Sequence, residues 1–192
     1  MNKIIIISSG GHARSCVDVI ETEKKYQIIG YIDKNNKKTK DYPIIGKDKD
    51  LIKLKKKFSN VFIGIGQIKN NLTRKRLFNK CKKIGYNLPV IKSPNSYISK
   101  KSEIGEGTII MHGAFIGPNV KIGKNCIINN HSHIEHDCII GDNTHISTRV
   151  TINGAVKVGN DSFVGSGTII KENIVIKKKS IITFGSLIKK NY

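Results

Sequence analysis

The sequence predicts two architectures in tandem: an α/β, Rossmann-like domain over residues 1–94, then an all-β left-handed parallel β-helix over residues 95–192. Three observations carry this. From Ile98 to Ile188 every sixth residue is Ile or Val. Ahead of that array, short apolar runs alternate with amphipathic stretches. Between the first run and the first amphipathic stretch lies a Gly-Gly turn at Gly10 and Gly11.

Residues 3–9 read as a buried parallel strand, with an unbroken apolar run from Ile4 to Ile7. Gly10-Gly11-His12 ends it. Residues 13–24 place Cys16, Val17, Val19 and Ile20 on one side, which predicts a helix. Residues 27–33 predict a second strand ending at Asp33. A helix follows over 48–58, a third strand over 60–66, a third helix over 71–84 and a fourth short strand over 88–91. The turn Ser8-Ser9-Gly10-Gly11-His12 opens a helix, so its N–H groups and the helix dipole suit a phosphate. Asp33 stands where a ribose hydroxyl would meet a carboxylate. The G-x-G-x-x-G spacing is absent, which favours a nucleotide sugar over NAD. The plainer reading is that the two glycines only make a tight turn.

The hexad array fits neither a 3.6-residue helix nor an alternating strand; it fits a β-helix with three hexads per coil. Each branched residue points inward and stacks on its counterpart eighteen residues on. Four residues later comes a smaller side chain suited to the corner, as at Thr108, Ala114, Ser132 and Thr144. Cys126 and Cys138 occupy this slot and read as packing residues. With Cys16 and Cys81 they complete four cysteines in no C-x-x-C pair, expected as free thiols.

Lys and Arg total 34 against 14 Asp and Glu, a formal charge of +20. The lysines are spread along the chain, aromatic residues are 6%, and no nucleic-acid-binding signature is present, which argues against a nucleic-acid partner. A positive field instead favours anionic substrates. No apolar run approaches the ~20 residues of a membrane span, and the N-terminal run is short for a secretion signal. A cytoplasmic protein without a membrane partner is expected.

Four stretches carry a family resemblance: Ser9-Gly10-Gly11-His12, Ile32-Asp33, Gly64-Ile65-Gly66 with Arg74, and Ile134-Glu135-His136-Asp137-Cys138-Ile139-Ile140-Gly141. Together they resemble the PglD/NeuD-like sugar acetyltransferases over nearly the whole chain. The resemblance implies a homotrimer with active sites between neighbouring β-helices, a nucleotide sugar on the N-terminal domain and acetyl-CoA along the β-helix. It implies an acetyl-CoA-dependent acetyltransferase acting on a nucleotide-linked amino sugar or sialic-acid-like sugar in surface glycan biosynthesis. His136 would be the general base, with Asp137 or Glu135 orienting its ring. His145 would lie near the thioester carbonyl, with Gly154 and Gly165 against the pantetheine arm. Gly10, Gly11, His12, Asp33 and Gly66 would meet the nucleotide sugar, and Asn129 would line the acceptor pocket.

The chain departs from the family in two places. It lacks the Pro-containing tail after the last coil, so Lys177, Lys178, Lys179, Lys189 and Lys190 are the alternative partners for CoA phosphates. Ala13 stands where a Gly often follows the His. Two rival readings use the same residues. His131, His133, His136 and His145 fall within fifteen positions, which invites a zinc-dependent, carbonic-anhydrase-like hydratase. Their differing hexad positions argue against a shared metal, and none is expected. The other rival is a non-catalytic sugar-nucleotide-binding protein.

Overall fold

The computed structural model describes residues 1–35, 39–68 and 70–192. The N-terminal part is built from β1 (Asn2–Ile7), α1 (Gly11–Glu23), β2 (Tyr26–Ile32), β3 (Ile44–Gly46), α2 (Leu51–Lys55), β4 (Asn60–Ile63) and α3 (Leu72–Ile84). Its four strands pair in parallel in the order β3-β2-β1-β4. Ile4 to Ile7 in central β1 are almost wholly buried, which is why that strand is aliphatic at every inner position. Helix α1 covers one side of the sheet with Ala13, Cys16, Val17, Val19 and Ile20. Helix α3 ends at Gly85, whose φ of 89° lets Tyr86 N–H return to the Cys81 carbonyl.

Two expected elements differ. The helix expected over 48–58 is one 3₁₀ turn followed by the short α2. The fourth strand expected over 88–91 lies instead at Ile91–Lys92 (β5), and it pairs with Ile109–Ile110 of the β-helix. One edge of the N-terminal sheet is the three-residue β3, which the sequence did not signal.

From β5 onward, two-residue strands stack into three parallel sheets of six, six and five strands, consistent with a left-handed β-helix. The register is eighteen residues, as in Ile122 with Ile140 and Ile134 with Ile152. The inward aliphatic residues and the small corner residues form one continuous core from Ile110 to Ile182. Burying each such side chain contributes roughly 1.5–3 kcal/mol, realised only when coils stack. From Gly107 to Gly185 one residue per corner turns with positive φ, among them Asn119, Asp137 and Ala155 along a single edge.

The first face carries Ile91, Ile109, Ile127, His145, Phe163 and Ile181 on its outside. The second carries Tyr97, Phe115, His133, Thr151, Ile169 and Leu187. The third carries Glu103, Lys121, Ile139, Lys157 and Val175. The N-terminal domain rests on the first face, where Ile91, Ile109 and Ile127 share a core with Ile4, Ile6, Val19 and Phe62. Among the described residues no helix is long and apolar enough to cross a membrane.

Candidate active site

The edge between the second and third faces carries Glu135-His136-Asp137-Cys138. Asp137 takes the left-handed corner conformation at φ 60°, which turns its carboxylate back on its neighbour. Its Oδ2 lies 2.7 Å from His136 Nδ1. A carboxylate can only accept, so Nδ1 carries a proton, and in the neutral ring Nε2 keeps its lone pair. The other carboxylate oxygen, Oδ1, accepts from Asn119 Nδ2 at 3.0 Å, one coil back. Hydrogen bonds from His136 and Asn119 hold the Asp137 carboxyl below its ordinary value, so it stays ionised. On the next coil, a Cβ on Gly154 would lie 2.6 Å from Cε1 and Nε2 of His136. The imidazole therefore lies against bare backbone, and it remains open to solvent.

Of the two candidate orienting carboxylates, the geometry selects Asp137. Glu135 turns the other way and accepts from His133 Nε2 at 2.8 Å. His133 stacks on Phe115 at 4.4 Å, and Phe115 on Tyr97 at 4.9 Å. Gly165 is needed by the coil itself, because a Cβ there would meet Phe184 N at 2.5 Å. Cys126 and Cys138 are buried in the corners, and burial pushes their thiols up to about 12 and about 11. Among the described residues no three His, Cys, Asp or Glu side chains gather to hold a metal.

The glycine-rich turn and the end of β2 line a second feature. A cavity of about 570 Å³ is bordered by Ser8, Ser9, Gly10, Asp33, Asn35, Thr73 and Arg76, among others. Asp33 Oδ2 accepts from both Ser9 N–H and Ser9 Oγ–H at 2.8 Å, and Oδ1 accepts from Asn35 N–H at 3.0 Å. Burial alone would raise its pKa; the hydrogen bonds from Asn35 and Ser9 outweigh this and lower it. An ionised carboxylate thus sits beside the free N–H end of α1, a pairing suited to a ribose and its phosphate.

The remaining candidates gather at the domain seam. His145, 7% exposed, donates from Nδ1 to the Gln67 carbonyl at 2.6 Å, and its Nε2 faces Asn129 Nδ2 at 3.4 Å. His12 lies 3.4 Å from Cys16 Sγ and packs against Gly66, where a Cβ would fall 3.4 Å from its ring. Burial, with Arg74 nearby, pushes His12 down to about 3 and His145 to about 4. Both rings are neutral in the folded state but would protonate near 6.5 when unfolded. Their contribution to stability is complete above pH 6.5 and is lost as pH falls toward 3–4. Each ring costs up to about 1.4 kcal/mol per pH unit in that window. Urea midpoints between pH 7.5 and 4.5 should fall steeply, and His145→Gln should flatten the slope; an unchanged slope would refute the assignment.

The signals that sequence reasoning missed are Asn119, the His133–Glu135 pair and a His112 strap. His112 bridges Ser93 Oγ at 2.7 Å to Asp18 of α1 at 2.8 Å. Asn119 and Asp137 are eighteen residues apart, one coil, so the register alone would have paired them.

Comparison with known proteins gives two family matches along the chain. Residues 89–192, more than half the chain, match the family described as the GMPPB C-terminal domain and belong to it. Residues 3–81 match the PglD N-terminal domain. A solved structure of a histidine-to-asparagine variant of perosamine N-acetyltransferase from Caulobacter crescentus, in complex with CoA and GDP-perosamine, superposes with a TM-score of 0.94. It is 25% identical, over 100% of this chain and 90% of that one. The chain resembles the PglD/NeuD-like sugar acetyltransferases in both of its parts. It is therefore an acyltransferase, and the two domains of this sugar acetyltransferase occur together in its structural relatives. The acetyltransferase domain of PglB from Neisseria gonorrhoeae FA1090 is 22% identical over 100% of this chain and 93% of that one, with a TM-score of 0.91. WeeI from Acinetobacter baumannii AYE is 21% identical over 98% and 95%, with a TM-score of 0.78. No curated protein sequence matches.

Proposed function

We propose that this protein is an acetyl-CoA-dependent N-acetyltransferase acting on a nucleotide-linked amino sugar, with His136 as general base, in surface glycan biosynthesis. The observation that carries the reading is the His136–Asp137 pair, with Nδ1 committed to the carboxylate and Nε2 left as a base. The C. crescentus relative, an N-acetyltransferase held with CoA and GDP-perosamine, supports an amine acceptor, a nucleotide-linked sugar and an acetyl-CoA donor. In the reaction, Nε2 takes a proton from the sugar amine as its nitrogen attacks the thioester carbonyl. The C–N bond forms, the C–S bond breaks, and CoA leaves as the thiol with the proton passed on from His136. Asp137 stabilises the imidazolium in between.

The geometry also supports a shared site. Within one chain the N-terminal domain covers the first face, whereas His136 stands on the edge opposite that face. A neighbouring copy in a homotrimer would bring one chain's Rossmann-like nucleotide pocket, residues 1–94, to another chain's β-helix edge in residues 95–192. Asn129 would then line the acceptor pocket, His145 would lie near the thioester carbonyl, Gly154 would border the pantetheine arm, and the lysines of the last coil would meet CoA phosphates. Incubation with acetyl-CoA and a panel of nucleotide-linked amino sugars, with detection of free thiol, tests the reading. Thiol release dependent on one amino sugar is expected; release with none of them, or only with the hydroxyl analogues, would overturn it.

A further inference from the structure

We propose that Asn119 is a positioning residue for acyl transfer, setting the orientation of the Asp137 carboxylate and through it the tautomer of His136. The proposal rests on the general-base reading of His136. Asn119 stands one coil before Asp137 on the same edge, and both take the left-handed corner conformation, at φ 59° and 60°. Stacked this way, their side chains leave the corner in the same direction. Asn119 Nδ2 then donates to Asp137 Oδ1 at 3.0 Å while Oδ2 meets His136 Nδ1 at 2.7 Å.

The need for such a lock follows from exposure. The Asp137 side chain is 51% exposed, so water competes for both its oxygens and nothing buried fixes its plane. With one oxygen held by Asn119, the other faces the imidazole. A free imidazole prefers its proton on Nε2, which would remove the base from the substrate side. A fixed acceptor at Nδ1 reverses that preference. No other charged group on this edge performs the task. Gly117-Pro118 on one side and Asn153-Gly154-Ala155 on the other are uncharged, and Glu135 is engaged by His133.

A structural rival exists, because Asn125 and Asn143 make a similar ladder on another edge at 2.9 Å. There both groups are buried and no imidazole receives the result. The test must therefore read the ring, not the fold. Gly and Asp both tolerate the corner conformation, so Asn119→Gly and Asn119→Asp should fold with melting temperatures close to that of the parent. In ¹⁵N NMR of the full chain, the neutral His136 ring should carry its proton on Nδ1. In Asn119→Gly the population should shift toward the Nε2–H form. In Asn119→Asp the added carboxylate should raise the His136 titration midpoint and move the acid limb of the pH–kcat/KM profile upward. Asn119→Gly should also lower kcat by about tenfold with KM unchanged. An unchanged tautomer in Asn119→Gly together with an unmoved midpoint in Asn119→Asp would overturn the proposal. The ring readouts need no turnover, so they stand even if His136 proves dispensable for acetyl transfer, which would sink only the general-base reading.

Discussion

Changing His136 to asparagine should lower kcat by about 10³-fold, or about 4 kcal/mol of transition-state stabilisation, while leaving the melting temperature nearly unchanged. The side chain is 57% exposed and its ring lies against Gly154 and Asp137, so its removal leaves no buried cavity and no buried orphan. KM for both substrates should stay within a few-fold, because a proton acceptor acts in the transition state and not in ground-state binding. Gly154→Ala provides an independent check. Its φ lies outside the left-handed region, so alanine is tolerated by the backbone. Its methyl, however, would occupy the place of Cε1 and Nε2, and the ring must swing away. A displacement of that size should cost about 10²-fold in kcat. If His136→Asn turns over as fast as the parent, the base lies elsewhere and the edge is structural.

The parts of this site that were legible in the sequence are those that are close along the chain. His136 and Asp137 are adjacent, and a left-handed corner at Asp137 is enough to join them. The β-helix was legible because its aliphatic rows repeat with one period and no insertion. Its first coil was hidden, since Lys92 occupies the register position where later coils place Ile110 and Ile128. The Leu88–Ile91 run therefore reads as one more strand of the preceding sheet. Strand β3 was hidden because three half-buried residues leave no period to detect. The choice between Glu135 and Asp137 was not legible either: both flank His136, and only the stacked His133 ring shows which carboxylate is already taken. The seam was the least legible, because it joins residues such as Gln67 and His145 that no local pattern connects.

Replacing Arg74 by methionine should destabilise the protein by about 3 kcal/mol or more, since each buried carbonyl left without a donor costs about 1–3 kcal/mol. This residue on α3 is 1% exposed and forms no salt bridge among the described residues. Its guanidinium instead donates to four carbonyls: those of Ile63 and Ile65 at the end of β4, and those of Asn125 and Gly107 at the corners of the β-helix. Phe62 lies beneath it at 5.9 Å. Burial lowers its pKa only to about 10, so the charge persists at neutral pH, stabilised by carbonyl dipoles. Methionine fills much of the volume but leaves all four acceptors without a donor, and it is that orphaning, not the lost packing, that sets the cost. Lysine should recover only a small part, because a single ammonium cannot span acceptors on both domains. Since the stacked coils hold their own core, the loss should appear first at the seam. Hydrogen exchange should show α3 and β4 losing protection while Ile140 to Ile170 keep theirs. A methionine variant that unfolds in urea within 1 kcal/mol of the parent would mean that the carbonyls are satisfied by water, and that the apolar first face and the other polar contacts of the seam hold the two domains together without the guanidinium.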